Sequence, residues 1–298
     1  MLNDINLNLY KVFYVCAKCN SFKEASEKLY VTQPAISMQI KSLEDSLGTK
    51  LFYRSNTGLS LTNEGKQLYN YIEKSYNYLT AGEKIIKQNS NMDIGTIVIG
   101  APAHIASFYL LEYIEEYRKN HPNVFFRIVN GTTTELLKGL EDHIIDFVID
   151  SSPINITNQE MTILPLAQFD TCFITTEQNT EKDIEKQKYV MPYERSSIRK
   201  NLEKELEKYN VKLNVVLEVE TTDLIISSVK NDIGTGYVVK KSVKNELENK
   251  ELIELKTKYD LPKLELNLVY LEDYLTNLSR YFIKNHIKKW FFFYLSGV

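Results

Sequence analysis

Apolar residues at the start of the chain repeat with the spacing of one helix face. Ile5, Leu9, Val12, Phe13 and Cys16 lie at positions i, i+4, i+7, i+8 and i+11. This period matches the 3.6-residue turn of an α-helix and predicts an amphipathic helix with one buried side. The chain is therefore expected to begin with a helix that packs against its neighbours.

A short second helix is predicted directly after the first. Ser21 and Glu24 form a capping-box pattern, in which the Ser side chain accepts from the third helical N–H and the Glu side chain reaches back. Phe22, Ala25 and Leu29 follow at i, i+3 and i+7 and give this helix an apolar inner face.

A third helix is predicted from Pro34, because proline in a first turn lacks only an N–H that has no helical partner. Ile36, Ile40, Leu43 and Leu47 fall in a stripe of roughly 60°. The opposite side carries Pro34, Ser37, Met38 and Lys41. Two such helices, at about Phe22 to Lys41, form a helix-turn-helix that can enter the DNA major groove. The alternative is a small helical bundle whose outer face is only solvated.

A small β-wing is predicted after the third helix. The turn-rich segment Ser55–Gly58 separates Lys50–Arg54 from the alternating segment Leu59–Leu61. Lys50 and Arg54 can contact DNA phosphates, which position a protein on the duplex, or they can be solvated surface charges.

Residues 7–65 resemble the winged helix-turn-helix of LysR-type transcriptional regulators. The resemblance rests on Ser21, Ala25, Leu29, Thr32–Ser37, Gln39-Ile40, Leu43-Glu44, Leu47-Gly48, Leu51-Phe52, Arg54, Leu61-Thr62 and Glu64-Gly65. It implies DNA contact by the start of the third helix and by the wing. The expected DNA-binding residues are Thr32, Gln33, Pro34, Ser37, Met38, Lys41 and Arg54. Met38 and Thr57 depart from the family's common basic residues, and Met38 could contact a thymine methyl group.

A long helix is predicted next, capped by Thr62. Ile72, Leu79 and Ile86 recur every seven residues, and Leu68 and Tyr76 lie on the same side, which is typical of helices that pack lengthwise. We expect these five residues to mediate self-association. The alternative is a helix that docks on its own chain. A short hinge is expected at residues 89–91.

The remaining two hundred residues alternate between strand and helix patterns, which predicts a parallel sheet with right-handed crossovers. The series occurs twice and indicates two related lobes with short crossings near Ile163–Leu166 and Leu264–Leu268. The arrangement resembles the family's bilobal effector domain, which is similar to type 2 periplasmic solute-binding proteins. The expected fold class is α/β: a winged helix-turn-helix (1–62), a linker helix (63–91) and two Rossmann-like subdomains (92–298). Lobe I is expected at about 92–163 and 267–298, and lobe II at about 164–266.

A ligand cleft is expected at the carboxyl ends of the strands, where helix N-termini supply N–H groups. The candidate effector-binding residues are Ala101, Pro102, Ala103, His104, Gly131, Thr132, Thr133, Ser151, Ser152, Arg195, Ser196, Ser197, Thr221 and Thr222. Their hydroxyl groups favour a small polar or anionic effector. The alternative is that these hydroxyl groups only cap helices.

The net charge of −3 argues against a nucleic-acid partner, but its distribution does not. Residues 1–90 contain 11 Lys and Arg against 8 Asp and Glu, so the acidic excess lies in the remainder of the chain. We therefore expect double-stranded promoter DNA as the partner of the basic segment. A homodimer or homotetramer and RNA polymerase are the other expected partners.

No catalytic set, cofactor motif or metal site is expected. The four histidines are scattered, and the pair Cys16 and Cys19 lies in a predicted helix, where core packing is the simpler explanation. The carboxylate pairs Asp142 with Asp146 and Glu115 with Glu116 are interpreted as solvated helix faces. A cytoplasmic location is expected, because no export signal is visible and Trp290–Leu295 is too short to span a membrane. The alternatives are a small-molecule enzyme with an appended winged helix and a ligand-binding or architectural protein without regulatory output.

Overall fold

A computed structural model describes residues 5–55, 58–88, 94–179 and 183–287. The chain divides into two compact units, Met1–Ala81 and Gly82–Val298. The expected hinge at 89–91, Thr57 of the wing and the apolar cluster Trp290–Leu295 lie outside the described residues.

The first unit contains the predicted helices and wing. The elements are α1 (Leu7–Ala17), α2 (Phe22–Leu29), α3 (Gln33–Leu47), β1 (Phe52–Ser55), β2 (Gly58–Leu61) and α4 (Asn63–Gln88), which runs on into the second unit. Phe13, Cys16, Ala25, Ile36 and Ile40 are fully buried and form the centre of its core.

The local signals that start these helices are visible as hydrogen bonds. The Ser21 side chain accepts from Glu24 N at 3.1 Å, as the capping-box pattern predicts. The Glu24 carboxylate reaches one residue further back than expected and accepts from Asn20 N at 2.9 Å. The Thr62 hydroxyl accepts from Gly65 N at 2.9 Å and caps α4 as predicted. Cys16 and Cys19 are free and buried, which confirms that they pack in the core. Only Cys16 lies in the predicted helix, because α1 ends at Ala17 and Cys19 follows it.

A buried carboxylate ties the end of α3 to the wing. Glu44 accepts hydrogen bonds from Lys50 Nζ at 2.8 Å, Leu51 N at 2.9 Å and Phe52 N at 3.4 Å. Burial alone would raise the pKa of Glu44, but the hydrogen bonds from Lys50, Leu51 and Phe52 outweigh it and lower that pKa. Ionised Glu44 therefore stabilises the folded unit.

We expect Glu44→Gln to lower the free energy of unfolding by about 1–3 kcal/mol at neutral pH, because a buried charge-assisted acceptor is lost. A carboxylate whose pKa is lower in the folded than in the unfolded protein adds to the free energy of unfolding at any pH above its unfolded pKa, about 4.3. This contribution is lost as the pH falls through the folded pKa. The difference between wild type and variant should therefore shrink in acid. Urea unfolding over a pH series measures it, with the exposed Glu27→Gln as control. A difference that is constant with pH would contradict the assignment.

The second unit contains two five-stranded sheets. The first has the order β4-β3-β5-β12-β6 and the second has the order β11-β7-β10-β8-β9. The strands of the first are β3 (Gly95–Gly100), β4 (Val124–Val129), β5 (Phe147–Ser151), β6 (Met161–Phe169) and β12 (Leu264–Leu271). The strands of the second are β7 (Thr171–Thr175), β8 (Lys188–Pro192), β9 (Asn214–Val219), β10 (Thr235–Val239) and β11 (Ile253–Leu255).

Helices cover both sheets. They are α5 (Ala103–Ile105), α6 (Leu111–Asn120), α7 (Thr133–Glu141), α8 (Ser197–Glu207), α9 (Thr222–Lys230), α10 (Lys244–Glu248) and α11 (Asn277–Phe282). A π-helical turn, Ala106–Leu110, joins α5 to α6, and a second one, Ile283–Ile287, continues α11. Two related α/β lobes are present, as predicted.

The predicted all-parallel sheets are wrong in one respect. In each sheet four strands run in one direction and one runs against them: β12 is antiparallel to β5 and β6, and β7 is antiparallel to β10 and β11. The segments expected as short crossings, Ile163–Leu166 and Leu264–Leu268, lie inside β6 and β12, which pair with each other over their whole length. The lobe borders expected near 163 and 267 therefore fall within strands of the first sheet.

Candidate functional site

The two sides of α3 differ sharply in exposure. Ile36, Ile40 and Leu43 are fully buried in the core of the first unit. On the other side, Met38 is 69% exposed. The predicted contact residues Gln33, Pro34 and Lys41 are also exposed, and Ser37 is half-buried. A short polar face is therefore open to a large partner.

The first turn of α3 has unused hydrogen-bonding capacity. Thr32 is the N-cap residue, is exposed and makes no side-chain cap hydrogen bond. The first N–H groups of a helix have no intrahelical acceptor, and they lie at its positive end. This end of α3 is therefore suited to a phosphate or a base edge.

The wing is a two-stranded antiparallel ribbon in which Arg54 pairs with Leu59. The side chain of Arg54 lies outside the described part of the structure. Lys50 Nζ donates to the buried Glu44 carboxylate at 2.8 Å, so a phosphate contact by Lys50 would compete with this ion pair.

Two exposed tyrosines of the first unit that lie outside α4 were not predicted from the sequence. Tyr30 closes α2 in the left-handed conformation, with φ of 55°, and its side chain is almost fully exposed. Tyr53 is exposed on β1. Tyrosine hydroxyl groups commonly donate to DNA phosphates. Periodicity gives no signal for either residue, because one lies in a turn and the other in a short strand.

The five predicted association residues of α4 divide into two groups. Leu68 and Ile72 pack against the core of the first unit, and the Tyr76 ring stacks on Tyr14 at 4.6 Å. Leu79 and Ile86 are 64% and 74% exposed. The first half of α4 therefore packs against its own chain, which was the alternative to self-association.

An apolar stripe nevertheless remains open along α4. Tyr71, Tyr78, Leu79 and Ile86 are exposed, and they fall within roughly 100° around the helix. Two of these pairs are seven residues apart, which is the spacing of helices that pack lengthwise. This set is called the α4 stripe below.

The end of α4 is fixed within the second unit by Asp146. Lys84 Nζ donates to both carboxylate oxygens of Asp146, at 2.7 and 2.8 Å. Val98 N on β3 donates to the same carboxylate at 2.8 Å, and Ser279 Oγ on α11 donates to it at 3.2 Å. The interpretation of Asp146 as a solvated helix residue is therefore wrong, because its side chain is nearly buried in this network.

Two of the predicted effector-binding threonines cap helices. Thr132 and Glu135 form a complete capping box at the start of α7, and the Thr221 side chain accepts from Leu224 N at the start of α9. Hydrogen bonds from the Thr132 N–H and hydroxyl lower the pKa of Glu135, and the charge of Arg195 lowers it further. The charge of Arg195 in the second lobe therefore acts on Glu135 in the first lobe.

A buried polar cluster lies at the carboxyl end of β5. The Thr133 hydroxyl donates to Asp150 Oδ2 at 2.7 Å. Burial raises the pKa of Asp150 and outweighs the hydrogen bonds from Thr133 and from Ser151 N, which act to lower it. Ser152 Oγ accepts from Asn267 at 2.7 Å. The Ser152 carbonyl accepts from Asn201 of α8 at 3.2 Å, which links the two lobes.

The groups with the greatest free capacity are at the start of α8 and in α5. Ser196 is the N-cap of α8 but makes no side-chain cap hydrogen bond, and the neighbouring Arg195 is exposed. Burial lowers the pKa of His104 to about 4, so its ring is neutral. Its Nε2 atom is buried and has no hydrogen-bond partner among the described residues. The other candidate residues differ in exposure: Ala101 and Ser151 are buried, Ala103 is exposed, and Pro102, Gly131, Ser197 and Thr222 are half-buried.

The described residues offer neither a metal site nor a membrane-spanning helix. They contain no group of three or more His, Cys, Asp or Glu that could hold a metal ion. Within the same ranges, no helix combines the length and the apolar character needed to cross a membrane.

Sequence relatives of the chain are regulators. A "Probable RuBisCO transcriptional regulator" of Synechocystis sp. is 30% identical over 169 residues, which cover 56% of this chain and 49% of that protein. The "HTH-type transcriptional activator AmpR" of Rhodobacter capsulatus is 34% identical over 145 residues, covering 48% and 50%. The chain thus spans about half the length of the curated relatives it matches.

Solved structures share the fold over nearly the whole chain. The "probable transcriptional regulator PA0477" from Pseudomonas aeruginosa has a TM-score of 0.67 at 14% identity, covering 95% of this chain and 96% of that one. Vibrio fischeri DarR, solved in complex with DNA, has a TM-score of 0.61 at 19% identity, covering 95% and 98%.

Two family models match consecutive parts of the chain. Residues 7–66 match the bacterial regulatory helix-turn-helix protein, lysR family, and residues 90–286 match the LysR substrate binding domain. The second match alone covers more than half of the chain. The protein with this open α3 face and these two α/β lobes belongs to the LysR family.

Proposed function

We propose that this protein is a cytoplasmic transcription regulator that binds promoter DNA through α3 and the wing. A small polar or anionic effector, bound between the two lobes, controls it. The observation that carries the proposal is the polar face of α3, which is open to solvent in a segment that matches the lysR-family helix-turn-helix. Neither family model supports the alternative of a small-molecule enzyme with an appended winged helix.

The first turns of α3 supply the base contacts in this proposal. Gln33 can make paired hydrogen bonds to an adenine edge in the major groove, and Met38 can contact a thymine methyl group. Thr32, Lys41 and Arg54 contact phosphates, together with the free N–H groups at the helix start. Pro34 and Ser37 are small enough to let the backbone of α3 approach the bases.

Tight binding requires more than one copy of the first unit. The positive excess of residues 1–90 is small, so a single module neutralises few phosphates. A homodimer or homotetramer places modules on successive major grooves, roughly 34 Å apart for adjacent half-sites. The α4 stripe supports this assembly, because its four large apolar side chains are each more than half exposed in one chain.

The effector site in this proposal centres on the start of α8. The positive end of this helix, the uncapped Ser196 and the Arg195 guanidinium favour an anionic group. Thr132 and Thr221 already serve as caps, and they contribute chiefly by fixing the loops. A ligand shifts the protein only through different affinities for two states. The Lys84 contact with Asp146 supports coupling, since it joins α4 to β3 and β5, and RNA polymerase is the expected downstream partner.

Gln33→Ala is expected to weaken binding to the promoter fragment by about tenfold or more, because one well-placed base contact contributes about 1–3 kcal/mol of discrimination. Binding to unrelated duplex at low salt should stay unchanged, since phosphate contacts dominate it. Fluorescence anisotropy with genomic fragments selected by footprinting measures both affinities.

Gln67→Ala is the matched control, because it removes the same side chain from an exposed helical position on α4. Equal affinity of wild type and Gln33→Ala for every selected fragment would contradict the proposed reading face. Binding without any sequence preference would favour the architectural alternative.

A further inference from the structure

The methionine side chains of the protein differ sharply in exposure. Met38 on α3 is 69% exposed. Met161 and Met191, the other methionines among the described residues, are 6% and 0% exposed. Met1 and Met92 lie outside those residues. Within the described part of the chain, Met38 therefore carries the thioether that an oxidant in solution reaches directly.

The cysteine thiols do not compete for such an oxidant. Cys16, Cys19 and Cys172 are free and buried. Burial raises the pKa of Cys16 and Cys172 to about 12, and it raises the pKa of Cys19 as well. Peroxides attack the thiolate form of cysteine, so a thiol that stays buried and protonated at neutral pH is inert. In the described residues, sulfur oxidation is therefore directed to Met38.

Met38 lies on the face of α3 that is proposed to contact DNA. It is four residues after Pro34 and three before Lys41, so the three side chains are neighbours on one side of the helix. Ile36 and Ile40 on the other side are fully buried. A change at the sulfur atom of Met38 therefore alters the surface offered to DNA and leaves the core in place.

A hydroperoxide oxidises a thioether by transferring one oxygen atom. A lone pair of the Met38 sulfur forms the S–O bond, and the O–O bond of the peroxide breaks. The hydroxyl proton on the new S–O group passes to the departing hydroxide, which leaves as water. Sulfur loses two electrons, the peroxide gains two, and the product is methionine sulfoxide, which is polar where the thioether is apolar.

The sulfoxide does not suit the base contact proposed for Met38. A thymine presents its methyl group and the acceptor O4 in the major groove. The sulfoxide oxygen is itself an acceptor, so beside a thymine it loses water and gains no donor. Burying a polar group without a hydrogen bond is unfavourable, and oxidised α3 should therefore bind the same site more weakly.

We propose that Met38 is a reversible oxidation site through which hydroperoxides lower the affinity of this protein for its promoter DNA. The inference rests on the proposed reading face of α3. Bound DNA covers the sulfur atom, so the oxidant acts on the free protein. Methionine sulfoxide reductases return the sulfoxide to the thioether, which makes the loss of affinity reversible.

Treatment of the full chain with hydrogen peroxide tests the proposal. Peptide mass spectrometry locates the added oxygen atom, and fluorescence anisotropy measures affinity for promoter fragments selected by footprinting. We expect Met38 to be converted before Met161 and Met191, and affinity to fall about tenfold, as for the loss of one base contact. Methionine sulfoxide reductases with dithiothreitol should restore it. A bound promoter fragment should slow the conversion of Met38 several-fold.

Met38→Leu is the matched control, because it keeps an apolar side chain at this exposed position but has no sulfur to oxidise. Met1 and Met92 remain in this variant, so oxidation at either residue would affect both proteins alike. The variant should bind the fragments equally well before and after peroxide treatment.

Three results would overturn the inference and leave the proposed function standing. They are unchanged affinity after full conversion of Met38, an equal loss of affinity in Met38→Leu, and an unconverted Met38 under conditions that oxidise free methionine. A wild-type protein that binds no promoter fragment before oxidation would instead overturn the proposed function, and the inference with it.

Discussion

Ile40→Asp is expected to unfold the first unit and abolish DNA binding. Ile40 is fully buried at the centre of the core that α1, α2 and α3 share. Losing a buried isoleucine lowers the free energy of unfolding by about 1.5–3 kcal/mol, and an unpaired buried carboxylate lowers it by several kcal/mol more. Small domains have a total stability of about 5–15 kcal/mol, so the sum removes most or all of it.

Thermal unfolding followed by circular dichroism should show loss of the transition of the first unit, while the second unit retains its own. Met38→Asp introduces the same charge two residues away, at a position that is 69% exposed. It should fold normally and lose only DNA affinity, because the new carboxylate repels phosphate. An Ile40→Asp variant that unfolds at the same temperature as the wild type would contradict the assignment of the buried face.

Local periodicity was sufficient to predict the first unit because the core that buries α3 is shared with segments close to it in sequence, namely α1, α2 and the start of the wing. Ile36 and Ile40 are buried, and Met38 and Lys41 are exposed, as the helical spacing predicts. The caps at Ser21 and Thr62 are equally local, since each side chain bonds to an N–H three residues later.

Pairing between distant segments was not accessible in this way. β12 pairs with β5 and β6, which lie about a hundred residues earlier in the chain, and no local pattern reports that pairing. Asp146 was misinterpreted for the same reason, because its partners Lys84, Val98 and Ser279 come from three separate segments.

The sequence predicts which loops form the candidate effector cleft, but not which of their hydroxyl groups are left without a cap hydrogen bond. Sequence places Thr132, Thr221 and Ser196 alike at helix starts. Only the structure distinguishes them, because the first two side chains bond to helix N–H groups and Ser196 does not.

The second large effect is expected from Leu79→Asp combined with Ile86→Asp. The heptad spacing of Ile72, Leu79 and Ile86 predicted a single association face, but Ile72 packs within its own unit. Leu79 and Ile86 remain exposed on the α4 stripe together with Tyr71 and Tyr78. If two chains associate through this stripe, each substitution places a carboxylate in an apolar interface, and symmetry doubles the number of charges.

The double variant should be monomeric in light scattering at concentrations where the wild type is an oligomer. Linking two modules can raise overall affinity by about 10²–10⁴ over a single one, so promoter affinity should fall by a factor in this range. Thr80→Asp with Lys87→Asp is the control, because it moves both substitutions by one residue, to exposed positions off the stripe. The control breaks the surface ion pair of Lys87 with Glu83, which contributes little. An oligomer of unchanged mass in the Leu79 and Ile86 variant would show that the stripe is not the association face, because neither residue is needed for the fold of a single chain.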